Sequence, residues 1–138
     1  MPARTSTVTR NTKETQIKLT LNLDGNGNSQ IDTGIGFFDH MLEGFSKHGF
    51  FDLVLKVQGD LQVDCHHTVE DTGIALGTAI KEAISEKKGI KRYGNFILPM
   101  DETLVLCAID LSGRPYLSFD YEFEKENIGY IDTEMIRE

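Results

Sequence analysis

Only two cysteines occur among the 138 residues. They are not at a Cys-x-x-Cys spacing, so neither a disulfide framework nor a zinc ribbon organises the chain. Cys107 sits in an apolar run and Cys65 beside two imidazoles, where a thiolate could serve zinc. Both are read as free thiols, the usual state in a reducing compartment. Basic residues are also in short supply. Fourteen Lys and Arg against 22 Asp and Glu leave a net charge of −8 and a pI of about 4.9. Such a surface has no generic affinity for nucleic acid or anionic membranes, and an anionic ligand must be met by a local basic pocket. No apolar run approaches the roughly 18 residues of a membrane span, and the amino terminus lacks the apolar core of a signal peptide. The expected location is the cytoplasm. With 39% hydrophobic residues the chain can bury one core but is short for two independent domains.

Histidine is scarce too, with four in all, yet two of them are adjacent. Asp64 to Gly77 reads Asp-Cys-His-His-Thr-Val-Glu-Asp-Thr-Gly-Ile-Ala-Leu-Gly. On a helix each residue turns by roughly 100°, so Glu70 lies one turn from both His66 and His67, and Asp71 one turn from His67. Imidazole and carboxylate then share a face. Adjacent histidines point in different directions, so they suit two metal ions better than one. Nitrogen and carboxylate donors fit manganese, iron or zinc, and affinity order alone does not choose among them. The plainer alternative is a solvated helix start with Thr68 as N-cap and Asp71 three residues on. A third histidine, His40, stands in a second helix start, Gly34-Ile-Gly-Phe-Phe-Asp-His-Met-Leu.

Around these motifs the chain alternates between strand and helix patterns. Ser6 to Arg10 and Gln16 to Leu23 read as strands, the second with Ile17, Leu19, Leu21 and Leu23 on one face. Asp24-Gly-Asn-Gly-Asn is a turn, predicting a hairpin back through Gln30 to Thr33. Residues 37–48 form a helix with Phe37, Met41, Phe45 and His48 along its apolar stripe, widened by Phe38 and Leu42 and ended by Gly49. His40 lies off the centre of that stripe, while His48 is a cation at the helix end. A strand over Asp52 to Gln58 and a brief one ending at Asp64 lead to the second helix, which runs from the motif to about Lys87 with a stripe of Val69, Gly73, Leu76, Ile80, Ala83 and Ile84. Gly73 and Gly77 suggest close approach to another helix. Strands follow over Phe96 to Leu98, Glu102 to Leu111 and Tyr116 to Phe123, with Ser112-Gly113-Arg114-Pro115 as a turn, and a third helix begins at Asp132.

Three strings, Gly34 to Leu42, Asp64 to Asp71 and Leu111 to Leu117 (Leu-Ser-Gly-Arg-Pro-Tyr-Leu), together with Thr12 to Thr15 and Lys91 to Gly94, resemble imidazoleglycerol-phosphate dehydratase, an enzyme of histidine biosynthesis. The resemblance runs along the whole chain in order. It implies an α+β, two-layer fold of internally duplicated half-domains, a mixed sheet with helices on one face of each. Residues 1–90 would be the first half-domain and 91–138 the strands and incipient helix of an incomplete second one. Family members carry a second His-His-x-x-Glu motif and a Ser/Lys-bearing phosphate tail, and the sequence stops at Glu138 before either, so it is expected to be a fragment, inactive alone. Glu138 falls where the second repeat matches His40.

The activity implied is dehydration of imidazole glycerol phosphate to imidazole acetol phosphate. Two manganese ions per site would stabilise an imidazolate that expels a hydroxyl through a diazafulvene-like intermediate. By resemblance His40, His66, His67 and Glu70 are metal ligands, Glu14 and Glu70 catalytic, and Glu14, Arg92 and Arg114 substrate-binding. On pattern alone Glu14 is a solvated turn residue and both arginines are surface cations, as is Lys91. A guanidinium can grip phosphate through two parallel hydrogen bonds, which suits either arginine to that role. The resemblance further implies a homo-oligomeric shell of about 24 subunits built from trimers. The rival readings are a non-catalytic metal-binding assembly module and a metal-dependent hydrolase.

Overall fold

Alternation organises the first sheet of the computed structural model, which describes residues 3–138. In strand β2 (Thr15–Asn22) Thr15, Ile17, Leu19 and Leu21 are buried while Gln16 and Lys18 face outward. Strands β1 (Thr5–Asn11) and β4 (Asp52–Gly59) flank it antiparallel, and Ile17, Leu19 and Leu21 stand opposite Val57, Leu55 and Leu53. All six side chains therefore project into one core, as the period of two demands. Strand β3 (Ser29–Asp32) joins the far edge of β4 in parallel, making a mixed sheet of order β1-β2-β4-β3.

The hairpin expected between β2 and β3 does not form, because β4 lies between them. The Gly-Asn turn instead folds around Asp52, whose Oδ1 accepts the backbone N–H groups of Asn26 at 2.9 Å and Asn28 at 3.0 Å. Gly25 permits this approach, since a Cβ there would stand 2.4 Å from the Asp52 nitrogen. Strand β4 matches β2 along its full length with three apolar pairs, whereas β3 has a single apolar residue, Ile31, to offer. Burial favours the longer match.

Two helices cover the core face. Helix α1 (Gly36–Gly49) contributes Leu42 and Phe38, and helix α2 (His66–Ile84) contributes Ala75, Ala79, Leu76 and Ile80 to the same cluster. Each helix is rotated by about one residue from the expected stripe. On α1 the inward line is Phe38, Leu42 and Ser46, leaving Met41 45% and Phe45 36% exposed. Ser46 sets that rotation by donating its hydroxyl to the Phe51 carbonyl at 2.7 Å. Phe50, not Gly49, takes the left-handed turn that ends the helix. On α2 the buried line is Thr68, Thr72, Ala75, Ala79 and Ala83, small residues that let the helix lie close on the sheet. Gly73 and Gly77 are exposed, with nothing within 4 Å of where a side chain would begin, so no described helix packs on them. Helix α2 ends at Ile84, short of Lys87, because Ser85 already has a positive φ. The brief strand ending at Asp64 is a turn closed by the Val63 N–H on the Asp60 carbonyl at 2.7 Å.

Packing divides the chain into two units, one running to Ile84 and taking in Tyr121–Glu138, the other Ser85–Asp120. The expected half-domain division at residue 90 followed the pattern of repeats rather than contact. In the first unit Asn127–Ile128 (β7) and Ile131–Asp132 (β8) form a short ribbon. The helix expected from Asp132 is one 3₁₀ turn over Thr133–Ile136. Its Met135, with Ile131, joins Ile35 and Cys65 in a second buried cluster beside the starts of α1 and α2. The second unit is a hairpin, β5 (Tyr93–Met100) and β6 (Thr103–Asp110). Tyr116 to Phe123, expected as a strand from its alternation, is not one. The fold is thus α+β, as expected, with both helices on one face of a mixed sheet. No described helix is long and apolar enough to cross a membrane.

Candidate metal and substrate site

The start of α2 is set by Asp64, not Thr68. Asp64 Oδ1 accepts the His66 N–H at 2.8 Å, and the Cys65 carbonyl accepts the Val69 N–H at 3.0 Å. Thr68 is fully buried and faces the end of β4. His66 and His67 open the helix with ring centroids 5.8 Å apart and planes at 68°, the divergence expected of neighbours. His66 Nε2 lies 3.8 Å from Glu70 Oε2 one turn on, both side chains nearly half exposed. His67 makes a different contact: its Nδ1 is 2.9 Å from Asp60 Oδ2. Asp60 was legible in the sequence only as a turn residue after Gly59. The hydrogen bond that Asp60 accepts from the ring raises the His67 pKa, and the charges of Asp60, Glu14 and Asp64 add to it. A proton therefore holds this ring to higher pH than it holds a free imidazole.

Asp71 does not share the imidazole face. It is buried, 5% exposed, and accepts hydrogen bonds from Arg10 Nε at 2.8 Å, Thr12 Oγ1 at 3.4 Å and Thr15 Oγ1, with Arg10 Nη2 at 2.6 Å. Burial by itself raises its pKa, but the Thr15 hydroxyl and the Arg10 guanidinium outweigh that and hold it below the usual carboxylate value. The consequence reaches the β1–β2 turn. Thr12 Oγ1 also accepts the N–H groups of Glu14 at 3.2 Å and Thr15 at 2.9 Å, so α2 anchors the turn that presents exposed Glu14. Glu14 and His67 are thus carried by two elements tied together through Asp71.

His40 is exposed just after the first turn of α1, whose start is locked by Asp39 accepting from the Thr33 N–H at 2.9 Å and hydroxyl at 2.6 Å. Among the described residues no three His, Cys, Asp or Glu side chains gather closely enough to hold a metal ion. The fold brings together His66 with Glu70 and His67 with Asp60, and leaves His40 apart from any such group. Cys65 is buried and Cys107 exposed, both as free thiols. A cleft of about 460 Å³ beside Ile35, Asp64, Cys65 and Tyr130 includes none of the expected metal ligands.

In the Ser85–Asp120 unit, Arg92 is held across the hairpin by Asp110, Nε to Oδ1 at 2.7 Å and Nη2 to Oδ2 at 3.0 Å, and its guanidinium lies 4.9 Å from the Tyr93 ring centre. That hydrogen-bonded pair raises the Arg92 pKa and lowers that of Asp110. Arg114 is exposed on the turn after β6, where Gly113 takes φ 88° and the Arg114 N–H donates to Ser112 Oγ at 3.2 Å. Lys91 is exposed, and Glu138 lies exposed at the carboxyl end.

Residues 33–138 match the family model of imidazoleglycerol-phosphate dehydratase. Relatives of that name include the protein of Lachnoclostridium phytofermentans, 66% identical over 98% of this chain and 69% of its own length. That of Acetivibrio thermocellus is 60% identical over 95% of this chain and 67% of its own. Among solved structures, imidazoleglycerol-phosphate dehydratase from Staphylococcus aureus superposes with a TM-score of 0.84 at 40% identity, covering 96% of this chain and 72% of the other. The Pyrococcus furiosus protein, solved in complex with (S)-C348, gives 0.77 at 33% identity, covering 94% and 68%.

Proposed function

We propose, from the premise that the chain belongs to the imidazoleglycerol-phosphate dehydratase family, that His40, His66, His67 and Glu70 are ligands to two divalent manganese ions and that Glu14 moves the protons of the reaction. The activity is the family's: a lyase of histidine biosynthesis that removes water from imidazole glycerol phosphate to give imidazole acetol phosphate. A cytoplasmic location fits two free thiols and a chain in which no described helix could span a membrane.

The observation that carries the ligand assignment is the pair of diverging rings at the start of α2, one beside Glu70 and the other backed by Asp60. Imidazole nitrogen and carboxylate oxygen suit a manganese-type ion, and a carboxylate behind a ring nitrogen is the usual support of a histidine ligand. Held by these residues, such ions would supply Lewis-acid stabilisation of negative charge on the substrate's imidazole. The protein's own share is proton traffic and positioning. Glu14, exposed on an anchored turn and within electrostatic reach of His67, removes and returns protons along the side chain of the substrate. Arg92 and Arg114 bind the phosphate. For Arg92 this means that phosphate competes with Asp110 or that Asp110 holds the fork in place for it.

Since no three donors converge among the described residues, we infer that ligands from another copy complete each site, and that the protein is a homo-oligomer whose assembly is linked to metal. The 24-subunit shell of the resemblance is one such arrangement. Two measurements test this. His67→Ala is expected to lose bound manganese in elemental analysis while keeping its circular dichroism; unchanged metal content refutes the ligand assignment. Light scattering of the full-length, metal-loaded protein should show an assembly that chelator dissociates. A metal-bound monomer at micromolar concentration refutes shared sites.

A further inference from the structure

The end of β4 is built to deliver Asp60 to α2. Gly59 lets strand and helix meet, because a Cβ at that position would stand 2.0 Å from the Thr68 hydroxyl oxygen. Asp60 comes next, its side chain 15% exposed, and the Val63 N–H closes a turn on its carbonyl. Oδ2 lies 2.9 Å from His67 Nδ1. The other oxygen, Oδ1, is buried and finds no hydrogen-bond partner among the described residues. A carboxylate kept mostly from water and given one ring nitrogen to face is a costly arrangement for a surface turn.

Its chemistry is directional. An ionised carboxylate accepts and does not donate, so the proton between the two groups is carried by Nδ1. In the neutral ring the lone pair is then on Nε2, and the His67 side chain remains 42% exposed. We propose that Asp60 is a positioning residue for the metal site: by accepting from His67 Nδ1–H it fixes the ring's orientation and tautomer and presents Nε2 to manganese. This rests on the reading of His67 as a ligand. Without Asp60 the ring turns freely and takes the Nε2–H form that neutral histidine prefers in water, which puts a proton on the metal-facing nitrogen.

Nitrogen-15 NMR of the metal-free chain, at a pH well above the imidazole titration, reads the tautomer, and the His67 signals are identified by their loss in His67→Ala. The wild-type ring is expected as Nδ1–H and that of Asp60→Ala as predominantly Nε2–H. Manganese affinity, followed by the paramagnetic resonance of the free ion, should fall about 10–100-fold in Asp60→Ala. An Nε2–H ring in the wild type, or unchanged manganese affinity in Asp60→Ala, overturns the proposal. The wild-type spectrum decides even if Asp60→Ala does not fold. If His67→Ala binds manganese as tightly as the wild type while the wild-type ring is Nδ1–H, the fault lies in the ligand assignment, a failure distinct from that of the tautomer lock.

Discussion

Glu14→Gln should lower kcat by about 10²–10⁴-fold and leave KM within a few-fold of the wild type, the usual cost of removing a general acid or base. The substitution conserves shape and the backbone bond from the Glu14 N–H to Thr12 Oγ1, so the turn that presents the side chain stays in place. Only the capacity to move a proton is lost. Arg114→Ala should behave in the opposite way. A guanidinium on a phosphate, far from the carbon–oxygen bond that breaks, contributes mainly uniform binding, so KM rises and kcat changes little. Steady-state kinetics of the full-length enzyme with imidazole glycerol phosphate and saturating manganese separate the two. If both variants raise KM equally and turn over normally, this division of roles is wrong.

Asp71→Ala should destabilise the fold by about 2–4 kcal/mol, somewhat less than the full penalty of breaking a buried ion pair because Arg10 is 35% exposed. Three donors lose their acceptor at once: the Arg10 guanidinium and the Thr12 and Thr15 hydroxyls. Urea unfolding measures the change as a shift in midpoint. The pH dependence has a definite sign. The folded-state pKa of Asp71 lies below its unfolded value, so its contribution is complete above the unfolded pKa and is lost as pH falls through the folded one. Wild type and variant should therefore converge in acid and differ fully near neutrality. A constant difference from neutral pH down into the acid range would show that Asp71 is not ionised in the fold. Because the same carboxylate anchors the Glu14 turn, the variant should also lower kcat under conditions where it remains folded.

Local periodicity was enough to place β2, β4, α1 and α2, since which residues alternate or recur every turn depends only on near neighbours. The divergence of His66 and His67 and the reach of His66 to Glu70 were legible for the same reason: both follow from the geometry of a single helix. The names of the expected site residues came from strings of sequence, not from pattern. Tertiary structure decided what no single element contains. β4 displaced β3 from β2 because three apolar pairs outweigh one good turn signal. The buried faces of both helices shifted by one residue, since a hydrophobic stripe is wide and the exact rotation is settled by contacts such as Ser46 to Phe51 and the alanines of α2 against the sheet. Asp71, adjacent to Glu70 and of the same charge, turned inward to Arg10, 61 residues away, and became a strut. Asp60, an ordinary turn residue by pattern, was brought to His67 at a turn closed by the Val63 N–H, where Gly59 lets strand and helix meet. The residue types of the motif were written in the chain, but which carboxylates remain available to a metal was settled by packing, because burial and a fixed donor bind one acid while its neighbour stays in water.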